Sequence, residues 1–260
     1  MIDVRLIEVS QESRVRTITL NRPEKRNALN LDLCRELTEA FDQADSDPSV
    51  GAIVLNATGP VFCGGMDLKE ALDINENRIA AIHERLFTTI QRARTPIVAA
   101  VHGFALAGGV GLAANAHIVV ASPDTVFALT EIRVGLWPVL IFRTVAHAMG
   151  ERRTVELALT GRDFTALEAL SYGLVTEIAD DPRQRATDLA VTLSGFSPIA
   201  LKAGLDYVHQ IRGLDWEHAG RAGRLTRDQL LSSADFKEGS RAFLEKRQPS
   251  WPSLAGKRAK

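Results

Sequence analysis

At 260 residues the chain is long enough for one large domain, or a large domain with a small appendage, and a chain of this size buries roughly 70–75% of its unfolded surface without a disulfide or metal staple. Its 31 basic and 32 acidic residues leave a formal charge of −1, which gives no electrostatic reason to expect nucleic acid as a partner. Cys34 and Cys63 have no metal-ligand spacing and Met1-Ile2-Asp3-Val4-Arg5 has no signal-peptide pattern, so free thiols, no bound metal and a cytoplasmic setting are expected.

Residues 4–9 and 15–20 alternate well enough for a β-hairpin turning around Gln11-Glu12-Ser13. A polar loop over 21–27 leads to a helix capped by Asn30, with Leu33, Leu37, Phe41 and Ala44 on one face and an end within 45–49. A buried strand over 50–56 follows. Residues 76–92 have helical spacing, with Ile79, Ile82, Leu86 and Ile90 inward. Residues 95–123 carry no Asp, Glu, Lys or Arg, a length that could span a bilayer. Pro96, His102, Asn115, His117 and a glycine-rich middle argue instead for strand, turn, helix and strand in a buried core, with no membrane partner.

Further on, residues 151–159 are helical, and Thr165-Ala166-Leu167-Glu168 is a capping box opening a short helix that Gly173 stops. Residues 175–178 fit a strand. After Pro182 the pattern is helical, with breaks at Ser197-Pro198, Gly213 and Ser232-Ser233. Strand–helix alternation followed by a helical tail predicts an α/β protein without two independent domains.

Two glycine-rich turns stand out: Phe62-Cys63-Gly64-Gly65-Met66-Asp67-Leu68-Lys69-Glu70, and His102-Gly103-Phe104-Ala105-Leu106-Ala107-Gly108-Gly109-Val110-Gly111. Each follows a predicted strand and opens a helix-like stretch, so their backbone N–H groups could approach a ligand and together hold a developing oxyanion. Glycine turns are also ordinary structural devices, and neither has dinucleotide-binding or P-loop spacing. No nucleophile elbow and no zinc-spaced histidine pair occur, and His102 and His147 have no partner that would make them catalytic. Glu131, between Phe127-Ala128-Leu129-Thr130 and the apolar Val134-Gly135-Leu136-Trp137-Pro138, has two readings from spacing alone. It is either a surface carboxylate paired with Arg133 or a partly desolvated acid/base with a raised pKa.

Asn21-Arg22-Pro23 with Asn27-Ala28-Leu29, then residues 62–70, 102–111 and 127–135, and finally Asp235-Phe236-Lys237-Glu238-Gly239 with Ala242-Phe243-Leu244-Glu245-Lys246-Arg247, resemble the enoyl-CoA hydratase/isomerase (crotonase) family in order and spacing. The resemblance covers nearly the whole chain. It implies a spiral of ββα units with a helical C-terminal segment, here residues 1–195 as the core carrying the CoA-ester site and 196–260 as an oligomerisation or lid segment, assembling as a homo-trimer or hexamer. It places the two oxyanion donors at the backbone N–H groups of Met66 and Gly108 and the acid/base at Glu131. The CoA arm would run near Arg22, Lys25 and Lys69, with Lys246 near the nucleotide end, although each of these is equally readable as a solvated surface charge. CoA enters as part of the substrate, and no separate cofactor is implied.

Three departures from the family pattern matter. The first of the two glutamates typical of the family's hydratases falls on Gly111, which has no side chain. The stretch Trp137-Pro138-Val139-Leu140-Ile141-Phe142-Arg143 replaces a glycine-rich segment, and Met66 replaces a more frequent alanine; both changes would shape the acyl pocket. The resemblance therefore implies an acyl-CoA enzyme that stabilises a thioester enolate with one glutamate, expected to hydrate a 2-enoyl-CoA. The alternatives are double-bond isomerisation and a catalytically silent CoA-ester binder.

Overall fold

The computed structural model describes residues 5–73 and 76–255. Strands β1 (Ile7–Glu12) and β2 (Val15–Leu20) form an antiparallel hairpin in which Glu12 pairs with Val15. The turn is therefore Ser13-Arg14, with Ser13 at φ 52°, and lies later than the predicted Gln11-Glu12-Ser13. Beyond Ile7 every β1 side chain is exposed, so alternation could not fix where that strand ends; Val4 of the predicted strand lies outside the described residues. Asn30 caps α1 (Leu31–Ser46) by accepting from the Leu33 N–H, and Leu33, Leu37, Phe41 and Ala44 are buried as their spacing requires.

Next come β3 (Ala52–Ala57), α2 (Leu68–Asp73), α3 (Glu76–Gln91), β4 (Ile97–Val101), β5 (Phe104–Leu106), α4 (Gly108–Asn115), β6 (Ile118–Ala121) and β7 (Val126–Ala128). The charge-free stretch thus holds one strand more than predicted. They are followed by α5 (Phe142–Met149), α6 (Glu151–Thr160), β8 (Asp163–Thr165), α7 (Ala166–Tyr172) and β9 (Glu177–Ile178), which is shorter than its predicted span. Thr165 and Glu168 make the predicted capping box of α7, and Gly173 ends it in the left-handed conformation. The helical tail is α8 (Pro182–Ser194), α9 (Pro198–Ile211), α10 (Trp216–Ser232), α11 (Ala234–Leu244) and α12 (Pro252–Ala255).

Two sheets organise the core. The larger has the order β1-β2-β3-β4-β6-β9, parallel from β2 onward; the smaller has the order β5-β7-β8. Parallel strands are covered on both faces, and β3 is buried along its whole length. Val54, Val98 and Val120 face Ala186 and Ala190 of α8, whereas Ile53, Leu55, Ile97 and Val119 face the main core with Leu37, Phe41 and Leu86.

Each pass of the chain lays one strand in the large sheet and then one in the small sheet. β3 is followed by Cys63, which bridges Ala105; β4 is followed by β5, and β6 by β7. The result is a spiral in which Met66, Gly108 and Glu131 each sit a few residues past the small-sheet step of three consecutive turns. Beyond α8, helices α9–α12 pack chiefly on one another, and the Trp251 indole N–H donates to the Gly195 carbonyl at 2.7 Å. Among the described residues no helix is long and apolar enough to cross a membrane.

Candidate active site

The first turn is fastened by the motif residues around position 27. Buried Asn27 donates to the carbonyls of Thr58 (2.9 Å) and Val61 (2.7 Å) and accepts from the Arg22 N–H (2.8 Å). Leu29 then bridges Met66 in parallel register: the Leu29 N–H donates to the Gly65 carbonyl at 2.7 Å, and the Asp67 N–H to the Leu29 carbonyl at 3.1 Å. In this pattern the intervening Met66 N–H points to the opposite side. Asp67 caps α2 through the Glu70 N–H, and the Glu70 carboxylate accepts from the Leu31 N–H.

The second turn lies directly on the first. A Cβ on Gly65 would come within 2.9 Å of the Leu106 carbonyl oxygen and 3.5 Å of the Gly108 nitrogen, and one on Gly109 within 2.4 Å of the Cys63 carbonyl. Only glycine permits so close an approach of backbones. Ala107, at φ 48° and ψ −114°, holds a rare conformation just before α4, and its N–H is tied to the Ala128 carbonyl at 2.8 Å. Gly108 is the first residue of α4, so its N–H has no acceptor within the helix. Among the described residues, neither the Met66 nor the Gly108 N–H meets an acceptor in the protein.

Glu131 opens a 3-10 turn over Glu131–Val134 that Gly135 closes at φ 77°. Arg133 does not pair with it; that guanidinium turns to Asp163 and the Gly161 carbonyl instead. The Glu131 carboxyl is held above its ordinary pKa by burial, only partly offset by a backbone hydrogen bond, and its Oε2 is buried without a hydrogen-bond partner. Of the two alternatives open from spacing, the geometry agrees with the desolvated carboxylate.

These groups meet in a cavity of about 630 Å³. Leu29, Met66, Ala107, Gly108 and Glu131 line one part. Leu68, Leu72, Ile79, His83 and Phe87 contribute from α2 and α3, and Val134 and residues 136–141 complete the lining. At Gly111 the helix faces Ile141 and Phe87, with a Cβ position only 2.3 Å from Ile141 Cγ2. The two departures read in the sequence, the glycine at 111 and the apolar segment at 137–143, therefore meet in space.

The four predicted cationic residues lie outside the cavity lining. Arg22 is mostly buried, ion-paired to Asp67 at 2.7 Å and bonded to the Ala28 carbonyl at 3.1 Å, so it clamps the two strands of the first turn. Lys25 and Lys69 are exposed close by in sequence, whereas exposed Lys246, at φ 52°, follows α11 in the C-terminal helices. His83 is a lining residue that the sequence reading missed. Its one signal was a histidine on the otherwise apolar face of α3, between Ile79 and Leu86.

The match to known proteins is extensive. Residues 10–254 fit the family model described as enoyl-CoA hydratase/isomerase. A mevalonyl-coenzyme A hydratase of Aspergillus fumigatus is 34% identical over 248 residues, covering 90% of each chain. A probable enoyl-CoA hydratase of Mycobacterium bovis is 34% identical over 253 residues, covering 94% of this chain and 97% of its own. Among solved structures, an enoyl-CoA hydratase of Mycobacterium smegmatis superposes with a TM-score of 0.91 at 31% identity, over 95% of this chain and 99% of the other. The chain belongs to the enoyl-CoA hydratase/isomerase family and has its crotonase fold.

Proposed function

We propose that this protein is an acyl-CoA enzyme that hydrates a 2-enoyl-CoA, with Glu131 as its side-chain acid/base. The observation that carries the reading is a desolvated carboxylate, its Oε2 without a partner, in an apolar cavity shared with two backbone positions whose N–H groups have no acceptor among the described residues. In this mechanism the thioester oxygen accepts hydrogen bonds from Met66 and Gly108, which hold the charge that develops as an enolate. Water bonds to the β carbon and gives one proton to Glu131, and Glu131 returns a proton to the α carbon. The double bond is consumed, H and OH are added, and the carboxylate is restored. Similarity to the hydratases of Mycobacterium and Aspergillus supports hydration over other family reactions.

Double-bond isomerisation is the second reading, and Gly111 favours it. With no second carboxylate at that position, one glutamate moving a proton between the γ and α carbons needs no activated water. Incubating a 2-enoyl-CoA with the protein in heavy water and weighing the product separates the cases. Added water means hydration, and deuterium at carbon without added water means isomerisation. An ester unchanged at every chain length would leave a silent CoA-ester binder.

The CoA arm is assigned to the face bearing Lys25 and Lys69, beside the Arg22–Asp67 clamp, with Lys246 toward the nucleotide. Residues 196–260 are assigned to assembly as a trimer or hexamer, which the exposed Trp216, Phe243 and Leu244 support; the particle mass in solution tests it. The buried, unpaired thiols of Cys34 and Cys63 favour a reducing, cytoplasmic setting.

A further inference from the structure

Among the described residues, and apart from the Trp137 indole, two polar side chains line the cavity, Glu131 and His83. His83 projects from the inward face of α3, one turn from Ile79 and one turn from Phe87, and is only 7% exposed. Its Nε2 is buried with no hydrogen-bond partner. Burial lowers its pKa, against an opposing effect of the Leu29 carbonyl, so the ring is neutral at physiological pH. Glu131 Oε2 also lacks a partner, so the two groups do not satisfy one another.

An imidazole nitrogen left unpaired in an apolar wall is costly. Replacing the imidazole with a hydrocarbon would remove the cost, yet the chain keeps a polar group there.

We propose that His83 is a specificity-determining residue: it accepts a hydrogen bond from a hydroxyl carried by the acyl group beyond its β carbon, so that the site selects hydroxyl-substituted acyl-CoA thioesters over plain alkyl ones. The Leu29 carbonyl favours the proton on the other ring nitrogen, which leaves the unpartnered Nε2 as an acceptor suited to a hydroxyl donor. Glu131 acts at the α and β carbons, and His83 reads the remainder of the chain. Sites built to bond a substrate oxygen discriminate strongly against the analogue lacking it, because the site's own polar group is then left unpaired.

This inference rests on the acyl-CoA reading above, and binding rather than turnover tests it. Saturated acyl-CoA esters, which cannot be hydrated or isomerised, are titrated calorimetrically into the full-length protein. Each alkyl ester is compared with counterparts bearing one hydroxyl at successive carbons beyond β. The expected result is that at least one oxygen position binds about tenfold or more tightly than its alkyl parent. His83→Phe is expected to abolish that preference, read as the ratio of oxygenated to alkyl affinity within the variant, and His83→Gln to retain part of it. Should His83→Phe not fold, His83→Gln and the wild-type preference carry the test. Alkyl preference at every position, or an oxygen preference that survives His83→Phe, overturns the role of His83 alone. Failure of every ester to bind overturns the acyl-CoA reading as well.

Discussion

Ile141 occupies the space that a side chain at position 111 would need. A Cβ on Gly111 would also lie 3.0 Å from the Cβ of Ile141 and 3.0 Å from Cε1 of Phe87, and Ile141 itself is 3% exposed. A side chain at 111 is therefore accommodated only if Ile141 or Phe87 gives way. Gly111→Ala is expected to destabilise the protein by about 1–3 kcal/mol through overpacking. Ile141→Ala should cost about 2–5 kcal/mol through the cavity it leaves. Combined, the two should cost clearly less than their sum, as read from urea unfolding midpoints and slopes. Strict additivity would mean that the two positions are not in contact.

Glu131→Gln should lower kcat by a factor of about 10²–10⁴ while leaving the affinity for a saturated acyl-CoA within a few-fold, because the amide keeps the shape and loses the proton transfer. In the wild type, kcat should fall on the acid side at a pH above the ordinary glutamate range, since burial holds this carboxyl protonated longer. A rate profile with its acid limb near pH 4, or full activity in the glutamine variant, would remove Glu131 from the chemistry.

The Arg22–Asp67 pair predicts an acid limb in stability. Burial alone would raise the Asp67 carboxyl, but hydrogen bonds from Arg22 and the α2 backbone outweigh it and hold the group below its usual value. A depressed carboxylate contributes its full stabilisation above the unfolded value of about 3.9, and loses it as pH falls through the lower folded value. Asp67→Asn should cost about 1.5–3 kcal/mol at pH 7 and flatten the decline below pH 4. Parallel stability–pH curves for variant and wild type would contradict this.

The two thiols should be silent in the folded protein. Burial pushes the Cys63 thiol up to about 12, with the Gly65 backbone opposing, and raises Cys34 in the same way. Neither forms a reactive thiolate near neutrality. A chromogenic disulfide reagent at pH 8 should release no colour on mixing and two equivalents once the chain is unfolded. Immediate labelling of either cysteine would show that the core around it opens readily.

What could be read in advance was what local chemistry decides. Asn30 capping Leu33 and the Thr165–Glu168 box are contacts three residues apart, so the sequence spells them out. The glycine turns, and Glu131 near them, were legible as candidates for the same reason. The small-sheet strands β5, β7 and β8 have three residues each, too few for alternation to register. The ends of β1 were blurred because only Ile7 faces inward. Long-range pairings were invisible: Arg133 turns to Asp163 across 30 positions, and Ile141 fills the space at Gly111 across a similar gap. His83 was passed over because a histidine on an apolar helix face looks, in one dimension, like an interruption of the core.

The spiral carries a consequence for how such a site can change. Met66, Gly108 and Glu131 occupy equivalent steps of three successive turns, each held by its own strand pairing, much as treads are fixed separately to one stair. A tread can then be refitted without dismantling its neighbours, provided the new piece clears what overhangs it. Position 111 shows what that proviso means: Ile141, arriving from the next turn, fills the clearance, so a side chain can be fitted at 111 only if Ile141 is refitted with it.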